Sequence, residues 1–421
     1  MLTVSEREHL YREKMPSGGL FGEGEWRLSL RAFPMSDPEI KVMDQLGPWL
    51  AQFLKAADTL YKRSVKGSAP PYIADWLERG KPDELVAWSR ECAGDGHLPR
   101  LVRPDLLLTD DGFVLTEIDS IPGGSGTLAW MNERYAEMGD PVLGSKDAAD
   151  FLRQQYRDHD VVIAEEALAY RPELEWLYGN ETVRAAEGYA FNSRPVYRFF
   201  EGFDWPHLDS LRRSFSPQVQ MDPPLKVHLE EKLWQALFWL RPLRTYWKEE
   251  LGGRYDRELR KLIPETWPVE PVQLPPHAVL PGIQAHSWEE VVDFTKSERD
   301  LVIKLSGFSP EAWGSRGVWM GSDMTAEEWK TCINESLAES GHQPRIMQPF
   351  HKARRVSHPV FIDGEERDEE FRARCCPFYW IEGGQSTLLG VHVTLCPPDK
   401  KRIHGMQDAV IVPACRGGLR D

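Results

Sequence analysis

The chain has 421 residues, 41% hydrophobic and 28% charged, the balance of a soluble globular protein with room for two or three domains. Its 51 basic and 66 acidic residues leave a formal net charge of −15, which argues against nucleic acid and anionic membrane surfaces as partners. The amino-terminal MLTVSEREHLYREKMP lacks the apolar centre of a signal peptide, and no run approaches the roughly 18 apolar residues of a membrane span. The six cysteines contain no C-x-x-C pair and read as buried thiols, so the cytoplasm is the expected location.

Residues 1–35 are rich in glycine and charge. Beyond them Val42, Met43, Leu46, Trp49, Leu50, Phe53, Leu54, Ala57, Leu60 and Tyr61 fall on one helical stripe, the core face of a long helix. Residues 68–72 break that pattern before a second helical stretch.

Residues 101–126, LVRPDLLLTDDGFVLTEIDSIPGGSG, read as a β-hairpin turned at Asp110-Asp111-Gly112. A three-residue loop pairs Thr109 with Phe113, Asp105 with Glu117 and Arg103 with Asp119. Alternation then puts Arg103, Asp105, Glu117 and Asp119 on one face and Leu106, Leu108, Val114 and Ile118 on the other. Three acids and an arginine on one face describe a site for hard cations such as Mg²⁺. They equally describe an exposed hairpin whose acids face water, and a two-residue loop would send Asp105 and Glu117 to opposite faces. The loop that follows, Gly123, Gly124, Ser125 and Gly126 after Pro122, can present backbone N–H groups to an anion. Gly124, Gly126 and Ala129 also match a dinucleotide fingerprint, but after a hairpin strand and not the first strand of a βαβ unit.

From about residue 147 helices and short apolar strands alternate: a helix at 148–156, a strand at 161–164, another helix from 172, and the aromatic cluster Tyr197–Phe200. This texture suggests a small parallel α/β unit. A loop at 216–224 leads to a Trp- and Leu-rich helix from Lys226 to Trp247, and a proline-rich linker spans about 264–282. Beyond it lie a helix at 287–295, a strand at 301–305, a Gly/Ser-containing loop at 306–317 and a strand at 318–320. A capping-box helix from Thr325 and Glu328, a strand at 345–350 and an antiparallel pair at about 371–381 and 386–395 complete the chain. Lys304 sits mid-strand among apolar residues. A phosphate is one partner that would explain it, and snorkelling from an edge strand is another.

Together these pieces resemble the circularly permuted ATP-grasp ligases, the glutathionylspermidine synthetase branch among them. The R-x-D and E-x-N motifs of that family are matched by Arg103-Pro104-Asp105 and Glu117-Ile118-Asp119, with Asp119 in place of the asparagine. The resemblance implies an α+β fold, a circularly permuted ATP-grasp with a small pre-ATP-grasp-like α/β domain inserted between the metal hairpin and the ATP-binding lobe. Its domains would be residues 1–140, 141–225 and 226–421.

It further implies ATP and Mg²⁺ as cofactors, with Asp105, Glu117 and Asp119 as metal ligands. Lys232, Lys304, Gly314, Arg316, Gly317, Gln348 and Phe350 would bind the nucleotide. Arg103 and Arg374 would act in catalysis, and Gly123, Gly124, Ser125 and Arg198 on the substrate side. The family's late arginine is replaced by His392, and Arg372 or Arg374 is expected to take its place. The implied reaction joins a small-molecule carboxylate to an amine through an acyl phosphate, without nucleic acid or membrane. A catalytically impaired relative that keeps the nucleotide site is the alternative, and an NAD(P)-dependent oxidoreductase a more distant one. Oligomeric state is not readable from the sequence.

Overall fold

The computed structural model describes residues 2–22, 26–92, 94, 96–271, 280, 282–283, 285–312, 314, 316–403 and 408–417. The chain divides into two compact units. Met1–Ala51, His97–Leu225 and Lys352–Asp421 form the first; Gln52–Gly96 and Lys226–His351 form the second.

In chain order the strands are β1 (Phe33–Met35), β2 (Leu101–Thr109), β3 (Gly112–Asp119), β4 (Asp160–Ile163), β5 (Val183–Ala185), β6 (Val196–Phe199), β7 (Met221–Asp222) and β8 (Trp267–Pro268). They continue as β9 (Leu301–Leu305), β10 (Val318–Met320), β11 (Arg345–Pro349), β12 (Arg355–Ile362), β13 (Glu365–Glu382), β14 (Gln385–Cys396) and β15 (Val410–Arg416). The helices are α1 (Val4–Glu13), α2 (Asp37–Val65), α3 (Tyr72–Glu78), α4 (Asp83–Cys92), α5 (Ser125–Glu137) and α6 (Ala148–Gln155). After them come α7 (Arg171–Tyr178), α8 (Asp209–Ser214), α9 (Leu233–Trp239), α10 (Arg244–Leu262), α11 (Trp288–Val292) and α12 (Ala326–Ala338).

Among the described residues, the first unit holds a seven-stranded sheet ordered β1-β15-β14-β13-β2-β3, with β12 beside β13. The amino-terminal part of α2 lies on one face. The Tyr379 hydroxyl donates to the Met43 carbonyl at 2.6 Å. Gly47 lets the helix come this close, because a Cβ there would stand 2.5 Å from Ser386 Oγ. Leu106, Leu108, Cys375, Val393 and Leu395 bury this side of the sheet. Helix α5 covers the opposite face, where Asn132 Nδ2 donates to the Leu389 carbonyl at 3.0 Å.

A second sheet of this unit, β5-β4-β6-β7, is parallel throughout. Strands β4 and β6 are buried along their whole length, as covered parallel strands are. This is the α/β texture expected from residue 147 onward.

In the second unit the sheet is β10-β9-β11-β8. One face buries Trp267, Leu301, Ile303 and Met347 against Val291 of α11 and against Trp329 and Ile333 of α12. Phe53 of α2 stacks on Trp247 of α10 with centroids 5.2 Å apart. The Thr325–Glu328 capping box opens α12.

Three expectations change. The segment called glycine- and charge-rich opens with α1, started by a capping box between Thr3 and Glu6. The single helix expected over 226–247 is broken at Pro242, which cannot continue α9, and α10 then runs on to Leu262. Part of the stretch at 264–282 is strand β8, hydrogen-bonded to β11 inside the second unit; residues 272–279 and 281 lie outside the described residues. No helix among the described residues is long and apolar enough to cross a membrane. All six cysteines are buried, unbridged thiols.

Candidate functional site

The hairpin reaches the expected pairing by an unexpected route. Thr109 pairs with Gly112, so the loop is the two residues Asp110 and Asp111. Leu108 faces Phe113 and Leu106 faces Leu115, after which the register shifts. Thr116 is the extra residue of a β-bulge, its hydroxyl donating to the Asp105 carbonyl at 3.1 Å. Beyond the bulge Asp105 pairs with Glu117 and Arg103 with Asp119. The two-residue loop alone would have split these acids between faces; the bulge restores them to one. The apolar partners are therefore Phe113 and Leu115, both buried, in place of the expected Val114 and Ile118.

Arg103 holds this face together. Its Nε donates to Asp105 at 2.9 Å, its second terminal nitrogen meets Asp119 at 2.9 Å, and the first donates to the Gly123 carbonyl at 2.8 Å. Arg374 of β13 reaches the other Asp105 oxygen at 3.1 Å. Burial pushes the Asp105 carboxyl up, but Arg103, Arg374 and a hydrogen bond from Cys376 hold it well below the usual carboxylate range. Asp119 goes the other way, raised to about 6, because burial and the Glu117 charge outweigh Arg103. Arg372 is spent elsewhere, donating to the carbonyls of Pro398 at 2.7 Å and of Ala353.

The glycine loop already holds an anion, supplied by the protein. Glu173 of α7, fully buried, accepts from the Gly124 N–H at 2.7 Å, the Thr127 N–H at 2.9 Å and the Thr127 hydroxyl at 2.6 Å. The amino-terminal N–H groups of α5 that a pyrophosphate or substrate anion would need are thus occupied. Gly123 is required because a Cβ there would lie 2.3 Å from the Tyr170 ring. Arg198 cannot meet a substrate anion: it is 1% exposed and its guanidinium donates to the carbonyls of Pro223, Phe200 and Pro224. Its neighbour Tyr197 points the other way along β6. Burial, with the charges of Asp222, Glu173 and Asp119, pushes that phenol well up.

In the second unit Lys304 pairs with Val318 and Ile346, and Gln348 with Val302. These five positions share the sheet face opposite the apolar cluster. Lys304 is 9% exposed. Gln348 donates to Gln235 of α9 and, at 2.8 Å, to the Thr266 hydroxyl. Lys232, at the start of α9, donates from Nζ to the Ala312 carbonyl in the loop that follows Lys304, at 3.1 Å. Lys232, Lys304 and Gln348 therefore belong to one side of one small sheet. Within that loop Gly314 and Arg316 are exposed and Gly317 buried; Ser315 lies outside the described residues. Phe350 is half-buried, its N–H on the Asp300 carbonyl at 2.9 Å.

Sequence reading missed a buried polar knot behind this face. Lys81 and Ser306 both bond the Glu231 carboxylate, and Lys81 also donates to the Leu77 carbonyl at 2.7 Å. Only the adjacency of Glu231 to Lys232 hinted at it.

Among the described residues no three His, Cys, Asp or Glu side chains are grouped so as to hold a metal ion. Asp105 is neutralised by two arginines. Three carboxylates against two guanidiniums still leave an excess negative charge. Glu117 with Asp119 is the pair whose chemistry suits a hard cation whose remaining ligands come from elsewhere.

No family model matches the chain, and no curated protein matches it. Among solved structures, a glutathione synthetase-like effector from Globodera pallida in apo form is similar with a TM-score of 0.50 and 12% identity, over 98% of this chain and 95% of that one. A "Putative gamma-glutamylcysteine synthetase" from Methylobacillus flagellatus KT matches at a TM-score of 0.36 and 12% identity, over 82% of each chain. The first likeness is one of fold: a mixed α+β architecture shared with a synthetase-like protein along nearly its whole length.

Proposed function

We propose that the chain is an ATP- and Mg²⁺-dependent carboxylate–amine ligase. Its architecture would be a circularly permuted ATP-grasp, the acidic hairpin preceding the nucleotide lysines and the parallel α/β element inserted between them. The observation that carries this reading is the register of β2 and β3, which brings Arg103, Asp105, Glu117 and Asp119 onto one face with a net negative charge. The likeness in fold to a glutathione synthetase-like effector supports it.

ATP would supply the phosphoryl group: a carboxylate oxygen attacks the γ-phosphorus, ADP leaves, and an amine then displaces phosphate from the acyl carbon with loss of a proton. Glu117 and Asp119 would hold Mg²⁺, which supplies charge neutralisation at the phosphates. Lys232, Lys304 and Arg316 would offset phosphate charge, with Gln348 beside the base. Arg103 and Arg374 would orient and stabilise the reacting carboxylate.

ATP with Mg²⁺ should raise the melting temperature, and Lys304→Ala should weaken that shift. A library of amino acids and peptides, followed by mass spectrometry, should yield an amide in step with ADP and phosphate. Release of AMP and pyrophosphate, or no response to any nucleoside triphosphate, would sink the reading.

One set of observations favours a second reading, a nucleotide-binding protein without turnover. Asp105 is locked between two arginines, and His392 stands where the resembled family has arginine. Burial, together with Arg374 and Arg103, pushes that imidazole down to about 3, so it adds no positive charge. Tight ATP binding with no product from any substrate pair would select this alternative.

A further inference from the structure

We propose that Ser125, Arg374, His392 and Thr394 form a buried seat for the carboxylate of the substrate, an assignment that rests on the ligase reading. Four buried polar atoms in this patch lack a hydrogen-bond partner: Ser125 Oγ, Arg374 Nε, His392 Nε2 and Thr394 Oγ1. Native proteins rarely leave such atoms unsatisfied, and four together call for a ligand. They are neighbours by construction. Thr394 is the cross-strand partner of Arg374, and His392, two residues earlier on β14, partners Cys376 on the same face. Gly124, next to Ser125, closes the patch: a Cβ on it would lie 3.9 Å from His392 Nδ1 and 3.7 Å from the Phe378 ring. Ser125 and Thr394 are each 1% exposed and His392 9%.

The chemistry of these atoms selects the ligand. Arg374 Nε–H can only donate, both hydroxyls can donate, and a neutral imidazole can present an Nε2 proton. A partner that only accepts, with several lone pairs in a small volume, satisfies all four. A carboxylate does so in a plane. Arg374 also spends one terminal nitrogen on Asp105, so the residual charge suits a monoanion better than a dianionic phosphoryl group. The patch lies on the sheet face that carries Arg103 and Asp105, so a carboxylate seated there stays beside the arginines proposed to orient it. None of these four atoms uses the N–H groups that Glu173 occupies.

The test is a thermal titration of the full chain with acetate, succinate and inorganic phosphate at matched ionic strength. Both carboxylates should raise the melting temperature saturably, and phosphate should do so less. Thr394→Val should raise the melting temperature without ligand, since it removes an unpartnered hydroxyl, and should weaken carboxylate binding roughly tenfold, as expected for one lost hydrogen bond to a charged group. Thr394→Ser should restore wild-type behaviour in both. A fall in ligand-free stability in Thr394→Val with carboxylate binding intact would make the hydroxyl structural and overturn the proposal. So would a response to phosphate alone, or none to any anion, which would leave water as the occupant. ATP added to the wild type separates the two readings: if it never shifts the melting temperature while the Thr394-dependent carboxylate response persists, the ligase assignment fails and the seat stands.

Discussion

Arg103 is the residue on which the acidic face depends. It bonds one buried and one half-buried carboxylate from one guanidinium, a geometry that a planar fork allows and a lysine does not. Arg103→Ala should therefore cost about 3–5 kcal/mol, the penalty of leaving buried charge uncompensated. Arg374 still serves Asp105, so the loss falls mainly on Asp119, whose carboxyl should rise further. Urea melts of Arg103→Ala and Arg103→Lys, with lysine intermediate, check this; a variant as stable as the parent would show that the pairs contribute nothing. At the same scale, Arg198 illustrates how far a residue type alone can mislead. An arginine beside an aromatic run suggests an anion site, yet strand alternation packs Tyr197 on the Tyr156 and Tyr178 rings and buries Arg198 on carbonyls.

The hairpin shows which parts of an element can be read from sequence. The strands of β2 and β3 were legible from their runs of apolar residues on either side of a turn signal, but the pairing of Asp105 with Glu117 was reached through a three-residue loop that the structure replaces with a two-residue loop and a bulge. The bulge was not legible, since it depends on Phe113 and Leu115 going to the core while Thr116 closes on the Asp105 carbonyl. Lys304 was traceable as a polar residue in an apolar strand, whereas Lys232 and Gln348 followed only from the family resemblance. Glu173 was not traceable, because it lies 49 residues along the chain from the Gly124 N–H it accepts from. The bulge makes a paired prediction. Deleting Thr116 removes the extra residue and leaves Glu117 opposite Asp105, so it should cost only about 1 kcal/mol, one hydrogen bond. Deleting Ile118 shortens the strand equally but turns Asp119 away from Arg103, and should cost about 3 kcal/mol or more. Equal losses in urea melts of the two deletions would mean that strand length, not facing, sets the stability.

Each unit of the molecule is built around buried charge as well as apolar packing, and this makes its stability readable by pH. In the second unit Asp58 meets His228 at 3.1 Å, Lys226 at 3.3 Å and Lys62 at 2.6 Å, and the His228 ring stacks on Tyr61 with centroids 3.8 Å apart. Burial pushes the His228 imidazole below its ordinary 6.5, more than Asp58 raises it. The folded unit therefore holds His228 neutral where an unfolded chain would take up a proton. Stability from this site is complete above about pH 6.5 and is lost as pH falls toward the folded value, since the unfolded state then binds more protons. Asp58 acts later: its neighbours outweigh burial and hold it at about 2 against an ordinary 3.8, so its contribution is lost only below about pH 3.8. Burial raises Glu265 and Glu270 in the same unit, which has the opposite sign, but these groups are common to parent and variant and cancel in a comparison. His228→Gln should thus lower stability at pH 7.5, by losing the ring stacking, yet flatten its decline between pH 7.5 and 4.5; the loss below pH 3.8 should shrink as well, because His228 is the first of the neighbours, ahead of Lys226 and Lys62, that hold Asp58 low. Urea melts followed by tryptophan fluorescence across that range give the answer, and parallel pH profiles for parent and variant would remove His228 as the source of acid sensitivity.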